Sequence, residues 1–183
     1  MMEIKTKRLI LRQPTMKYAK DLIENINNLD VSKWLLVAPY PYTMKDAKWY
    51  INHCEEKAKE KTPTSYEFSI ELKSEKKIIG GCGISGIDYD QGIADLGYWL
   101  GEKYWRQGII TETINELINY SFNKLKLRRL QIPIFSDNIP SNNVAKKFGF
   151  TFEGVLRKKA VCKATGKIHD ENLWSLLKEE WKN

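Results

Sequence analysis

The segment Trp99-Leu100-Gly101-Glu102-Lys103-Tyr104-Trp105-Arg106-Gln107-Gly108-Ile109-Ile110-Thr111-Glu112 joins the end of a predicted strand to the start of a predicted helix. Its residue types suit the binding of a phosphate. The first amides of a helix have no intrahelical acceptor, and the helix dipole places positive potential at the same point. A turn of this kind cradles phosphate with main-chain donors. Gly108 permits close backbone approach, and Lys103 and Arg106 bring positive charge. An ordinary β–α connection reads the same way locally, so the segment alone leaves both readings open.

A second glycine pattern points elsewhere. Gly81-Cys82-Gly83-Ile84-Ser85-Gly86 matches the G-x-G-x-x-G fingerprint of dinucleotide sites. That mechanism requires a helix to open at the third glycine so that its N-terminus meets the pyrophosphate. Here Ile87-Asp88-Tyr89-Asp90-Gln91-Gly92 follows, which is turn chemistry leading into another strand. The preferred reading is a bulge or close packing within a hairpin.

The elements around these segments follow from periodicity. Leu9 and Leu11 alternate with Arg8, Ile10 and Arg12, which predicts a first strand. Ala19, Leu22, Ile23 and Ile26 recur at helical spacing, as do Ala47, Ile51, Cys54 and Ala58 after the N-cap candidate Thr43. Strands are predicted at Tyr66–Leu72, Lys76–Ile87 and residues 93–100. A helix from about Gly108 to Leu125 presents Ile110, Ile114, Leu117 and Ile118 inward. Arg129–Phe135 reads as a buried strand, Pro140–Phe148 as a helix, and Thr151–Arg157 and Glu171–Leu177 as closing strands. Runs of strands interrupted by helices define an α+β class with a mixed sheet.

Length and composition set the bounds. The chain has 183 residues, 42% of them apolar, which suits one domain spanning 1–183. Lys and Arg number 30 against 23 Asp and Glu, so the net charge is 30 − 23 = +7. A basic chain favours anionic partners, although scattered surface lysines explain the balance equally well. Cys54, Cys82 and Cys162 form no CxxC pair and no zinc spacing, which suits a reducing cytoplasm and predicts no metal. The opening residues lack a signal-peptide core, and no run of about 18 apolar residues predicts a membrane span.

Several segments together resemble one family. The strand–loop–helix unit around Gly108 is similar to the acetyl-CoA signature [Arg/Gln]-x-x-Gly-x-[Gly/Ala] of the GNAT N-acetyltransferases, with Trp105 and Ile110 departing from its first and last positions. Tyr98-Trp99-Leu100-Gly101 followed by Tyr104-Trp105 resembles the ribosomal-protein N-acetyltransferase branch. Asn138-Ile139-Pro140-Ser141-Asn142-Asn143-Val144, ending in Gly149-Phe150, resembles that branch's next helix. Glu153-Gly154-Val155-Leu156-Arg157, Thr6–Arg12 and His169–Trp174 resemble its remaining strands. The resemblance runs from about Lys7 to Trp181. It implies a GNAT-like, mostly antiparallel sheet of about seven strands flanked by about four helices.

The resemblance also implies the chemistry. Strand 95–100 would splay from strand 129–135, and the pantetheine arm of acetyl-CoA would lie in the gap as an extra strand edge. Tyr98, Trp99 and Leu100 would contribute main-chain groups, one polarising the thioester carbonyl. Trp105, Arg106, Gln107, Gly108, Ile109, Ile110 and Thr111 would hold the pyrophosphate, and Asn138 and Ser141 would meet the arm from the other side. Ser141 stands where the branch places its acid, with helix capping as its structural alternative; Ala145 replaces the tyrosine used elsewhere in the superfamily. Arg157-Lys158-Lys159-Ala160 offers no carboxylate where the branch has one. Asp95 matches the base position of other members, and Glu153 and Asp170 are further candidates. The early aromatics Trp34, Tyr40, Tyr42, Trp49 and Tyr50 fall in the segment that lines the acceptor side, with core packing as the expected role of most.

The acceptor follows from amine acidity. A protein α-amine titrates near pH 8, so about a tenth is neutral at pH 7, whereas for a lysine near 10.4 the neutral share is below about one in a thousand. A site with a poor base therefore favours an N-terminal amine, as on a ribosomal protein. A small amine (polyamine, antibiotic or aminoacyl nucleotide) is the alternative acceptor. A basic RNA- or ribosome-binding module without catalysis is the remaining reading, but the chain carries no RNA-binding aromatic motif, so no direct nucleic-acid binding is expected. Membrane association is not expected; a homodimer is compatible with the resemblance.

Overall fold

Alternating apolar and polar side chains build one eight-stranded sheet in the computed structural model, which describes residues 3–182. Its strands are β1 (Glu3–Lys5), β2 (Leu9–Arg12), β3 (Tyr66–Leu72), β4 (Lys77–Asp88), β5 (Ile93–Leu100), β6 (Arg129–Phe135), β7 (Thr151–Val161) and β8 (Ile168–Leu177). They lie in the order β1-β2-β3-β4-β5-β6-β8-β7. Every neighbouring pair is antiparallel except β5 and β6. The helices are α1 (Ala19–Ile26), α2 (Leu29–Ser32), α3 (Met44–Lys57), α4 (Ile109–Asn123) and α5 (Ile139–Lys147).

Helices cover both faces. Ile109, Ile114, Leu117, Ile118 and Phe122 of α4 and Ala145 of α5 join Leu9, Leu11, Phe68, Ile70, Ile84, Leu96 and Leu130 in the main core. Three of the four residues expected to point inward from α4, Ile114, Leu117 and Ile118, are fully buried; Ile110 is half-buried against the same core. On the opposite face α1 and α3 bury Ala19, Leu22, Ile26, Ala47 and Ile51, with Tyr50 and Trp99 packed against them.

Thr43 begins α3 through a reciprocal cap: its hydroxyl oxygen accepts from the Asp46 N–H, and the Asp46 carboxylate accepts from the Thr43 N–H at 2.9 Å. Thr43→Ala should cost about 1 kcal/mol, read as a shift in the urea unfolding midpoint.

The sheet gains β1, a three-residue edge strand too short for alternation to reveal. One-turn α2, capped by Asn28, makes a fifth helix. The closing hairpin also exceeds the expected ranges. β7 continues through Arg157-Lys158-Lys159 to Val161, across a bulge between Leu156 and Ala160. This stretch is exposed except at Ala160, so burial imposes no alternation on it.

The decisive feature is where β5 and β6 part. They pair only through Ile93–Asp95 and Arg129–Gln131. The Arg129 N–H points toward the β5 side, donating to the Gly92 carbonyl at 3.2 Å. Residues of the same parity, Gln131 and Pro133, turn that edge the same way. Proline has no N–H to offer, so the ladder loses a donor where the strands separate. Beyond Asp95 the facing edges of β5 and β6 form an open fork.

Candidate active site

At the end of β5 the chain turns through Gly101–Gly108 into α4. Gly101 presses on Asn25, whose side-chain oxygen lies 2.2 Å from where a Cβ would stand. Asn25 in turn donates to the Ile78 and Asp21 carbonyls, both at 3.0 Å. The Trp105 indole donates to the Leu100 carbonyl at 2.7 Å, and the Gln107 amide donates to the Lys103 carbonyl at 2.9 Å. Arg106 (φ 59°) and Gly108 (φ 73°) both take left-handed backbone. Such a conformation is ordinary for glycine and strained for other residues.

Gly108 is the N-cap of α4, and no side chain caps the helix there. The first intrahelical bond runs from the Glu112 N–H to the Gly108 carbonyl at 3.1 Å. The amides of Ile109, Ile110 and Thr111 therefore open toward the turn, although the Ile109 side chain is itself buried core.

A clamp that the sequence did not reveal holds this turn. Arg8 Nη1 donates to the Gln107 carbonyl at 2.8 Å, and its Nε to Glu112 at 2.6 Å. Glu112 also accepts from the Arg8 N–H at 2.9 Å and from the Thr6 hydroxyl. Burial works against ionising Glu112, but the Thr6 and Arg8 bonds outweigh it and hold its carboxyl below the usual range. Positive charge beside the turn comes from Arg8, from Arg106 and from Lys147, whose Nζ donates to the Thr111 hydroxyl at 3.2 Å. Lys103 instead forms an exposed pair with Glu24 at 3.2 Å.

Across the fork, Asn138 caps α5. Its side-chain oxygen accepts from the Ser141 N–H at 3.4 Å, so capping belongs to Asn138 and not to the Ser141 hydroxyl. The Tyr98 hydroxyl spans the gap to the Ser141 carbonyl at 3.5 Å. Burial pushes Tyr98 up to about 12, so it is neutral at physiological pH. Asn142 locks α5 in place: it donates to the Phe135 and Asn138 carbonyls and accepts from Asn172 and the Trp174 indole, all within 3.2 Å.

The face toward α1 and α3 carries Asp95, Gly97 and Trp99. Asp95 sits on the last paired rung, half-buried, its carboxyl raised by desolvation. Its Oδ2 lies 3.8 Å from the Cβ position of Gly86, so it leans toward β4. The other carboxylates considered as bases are held elsewhere. Glu153 takes both Arg129 nitrogens at 2.7 and 2.6 Å and the Ser175 hydroxyl at 2.7 Å, which pull its pKa down to about 2. Asp170 accepts from the Lys158 N–H at 2.7 Å. Of the early aromatics, Tyr42 is buried, Trp49 is exposed and stacked on His53, and Trp34 lies against His169.

The misleading glycine motif has its explanation here. Cβ atoms at Gly81 and Gly83 would collide with the Trp99 indole and the Glu67 carboxylate, each at 2.4 Å. Gly86 is left-handed (φ 59°) beside a register shift between Ser85 and Asp88. The glycines serve close packing and a bulge, as read from the sequence.

An open strand fork beside an uncapped, glycine-started helix suits an α+β domain for a ligand that lays an extended amide chain along the strand edge and sets an anion at the helix start. Residues 8–151 match the family described as Acetyltransferase (GNAT) domain. The uncharacterized N-acetyltransferase p20 of Bacillus licheniformis is 32% identical over 176 residues, covering 96% of both chains. The ribosomal-protein-serine acetyltransferase of Escherichia coli is 37% identical over 84 residues, 46% of this chain and 47% of that protein. The microcin C7 self-immunity acetyltransferase MccE, solved with acetyl-CoA and AMP, superposes with a TM-score of 0.79 at 28% identity, covering 94% of this chain and 93% of that one. The chain belongs to the GNAT acetyltransferase family and is an acetyl-CoA-dependent N-acetyltransferase. Among the described residues no helix is long and apolar enough to cross a membrane.

Proposed function

We propose that this protein, acting in the cytoplasm, transfers acetyl from acetyl-CoA to a protein N-terminal amine. The observation that carries the donor side is the open fork lying next to the uncapped start of α4. In this reading the N–H groups from Gln107 to Thr111 hold the diphosphate, flanked by Trp105 and Arg106. The open edge at Tyr98, Trp99 and Leu100 pairs with the pantetheine amides, and a main-chain N–H there polarises the thioester carbonyl. The Asn138 side-chain nitrogen meets the arm from α5. Ser141 offers its hydroxyl to the departing thiolate, whose low basicity makes that help modest. Asp95 supplies negative potential at the base of the fork, which draws an ammonium onto the face carrying Gly97.

Similarity to a ribosomal-protein-serine acetyltransferase supports an N-terminal amine, as does the smaller cost of neutralising an α-amine. The nucleotide bound by the relative MccE favours a second reading, an aminoacyl nucleotide as acceptor. Thiol release from acetyl-CoA should be fastest with peptides bearing a free N-terminus. Faster release with an aminoacyl nucleotide or a polyamine would replace the acceptor.

A thermal-shift series separates the donor site from the glycine fingerprint. Acetyl-CoA at about 100 times its Kd should add about 2.7 kcal/mol, raising Tm by roughly 5–10 °C in a chain of this size. NAD should leave Tm unchanged; a shift with NAD alone would reinstate the fingerprint.

A further inference from the structure

The glycine-rich centre of β4 lets a carboxylate from β3 lie over it, one strand short of the fork. Glu67 on β3 stands opposite Gly83 on β4, and Gly83 stands opposite Gly97 on β5, forming one continuous cross-strand row. The Glu67 side chain lies over Gly83: its Oε2 and Oε1 are 2.4 and 2.9 Å from the position a Cβ would take. Nothing lies within 4 Å of the corresponding position on Gly97. Gly97 is the second residue past Asp95, where pairing to β6 ends, so this row meets β5 inside the open fork. Two glycines in succession clear the floor between the carboxylate and the place where the thioester must lie. Asp95 leans away from that floor, toward Gly86.

On the basis of the donor site described above, we propose that Glu67 receives the proton from the acceptor amine, over a floor made by Gly83 and Gly97. The ammonium passes one proton to the Glu67 carboxylate. The freed nitrogen pair attacks the acetyl carbonyl, the C–N bond forms and the C–S bond breaks. The second nitrogen proton follows to the departing thiolate, giving amide, thiol and a protonated Glu67. A pocket of about 220 Å³ lined by Gln13, Cys54, Lys57 and Glu67 among others touches the same side chain and gives that proton a way to solvent.

The surroundings suit the task. Burial pushes the Glu67 carboxyl up to about 7, against a hydrogen bond from Tyr50 that favours the ionised form. Tyr50 and Cys54 face it from α3, Cys82 approaches from β4, and burial raises all three, so they stay neutral at pH 7. Lys57 at the pocket is paired with Glu60 at 2.7 Å, and Asp95 is the charged group on β5. A base with a pKa near the working pH is the effective one.

The test uses the full chain and two readouts, acetyl-CoA affinity by calorimetry and thiol release with an amine panel. A wild type that binds no acetyl-CoA, or releases no thiol with any amine, would remove the acetyl-transfer reading itself. With that activity in hand, log kcat at saturating substrates should rise with pH to a plateau above about 7, because the base works only when ionised. Glu67→Gln should keep acetyl-CoA affinity, lower kcat by about a hundredfold or more, and lose that break. Gly83→Ala leaves the carboxylate chemically intact but puts a methyl where it rests, so kcat should fall about tenfold; this variant carries the test if Glu67→Gln fails to fold. A Glu67→Gln enzyme within about threefold of wild type with the break unmoved, or a break that disappears in Asp95→Asn instead, would overturn the assignment.

Discussion

Gly108→Glu should weaken acetyl-CoA binding by about a hundredfold while the chain still folds. The new carboxylate would sit at the uncapped start of α4, where the open amides and the dipole favour an anion. Two unit charges about 4 Å apart repel by about 4 kcal/mol at an effective dielectric of 20, and exposure to salt brings this to about 2–3 kcal/mol. The backbone adds a smaller penalty, because Gly108 has φ 73° and a side chain costs about 1–2 kcal/mol there. Gly108→Asn separates the two effects. Asparagine tolerates left-handed backbone and carries no charge, so this variant should share the modest loss of Tm and keep most of the affinity. Calorimetric titration with acetyl-CoA decides the matter. Equal Kd for wild type and Gly108→Glu would mean that the diphosphate does not rest on this turn.

The second large effect concerns stability. Asn142→Ala should cost about 3–4 kcal/mol and lower Tm by roughly 10 °C. Four hydrogen bonds converge on this 5%-exposed side chain. Removing it orphans the buried Trp174 N–H and the Asn172 amide nitrogen, while the Phe135 and Asn138 carbonyls keep main-chain bonds from Asn138 and Asn142. Each buried orphan costs about 1–3 kcal/mol. Asn142→Asp would keep an acceptor for Trp174 but face two carbonyl oxygens with a carboxylate, so it should not rescue. The same residue sets the register of Asn138 and Ser141 on α5, so the alanine variant should also raise the KM for acetyl-CoA. A loss below about 1 kcal/mol in urea unfolding would show that the network bears little of the packing between α5, β6 and β8.

Much of the proposed donor site was readable because its elements are local. A strand end, a left-handed glycine and a helix start lie within a dozen residues, and the physics of exposed amides needs only that order. The capping assignments divide on the same principle. Thr43 was placed correctly from its neighbours, whereas capping at Ser141 falls one turn late because Asn138 reaches forward to its N–H. The Arg8–Glu112 clamp joins residues 104 apart in sequence, and no periodicity relates them. Its members stood within segments already noted, but the contact exists only once β2 lies beside the start of α4.

The proposed acceptor face shows the same divide more sharply. Asp95 stood out through the resemblance, which places a base on the strand before the turn. Glu67 read as one polar position in an alternating strand, and Gly81, Gly83 and Gly86 imitated a nucleotide fingerprint. Cross-strand registry pairs Glu67 with Gly83 and Gly83 with Gly97, and that registry is a property of the assembled sheet.

By itself, the chain's alternation and helical spacing determined the α+β class, the main strands and helices, and a helix start opened by a glycine. These depend on interactions within a few residues. Tertiary structure alone decided where β5 leaves β6, which charges brace the turn, and which carboxylate shares a cross-strand row with the opening. Those outcomes depend on which strands become neighbours and in what register, and a one-residue slip would send every side chain to the other face.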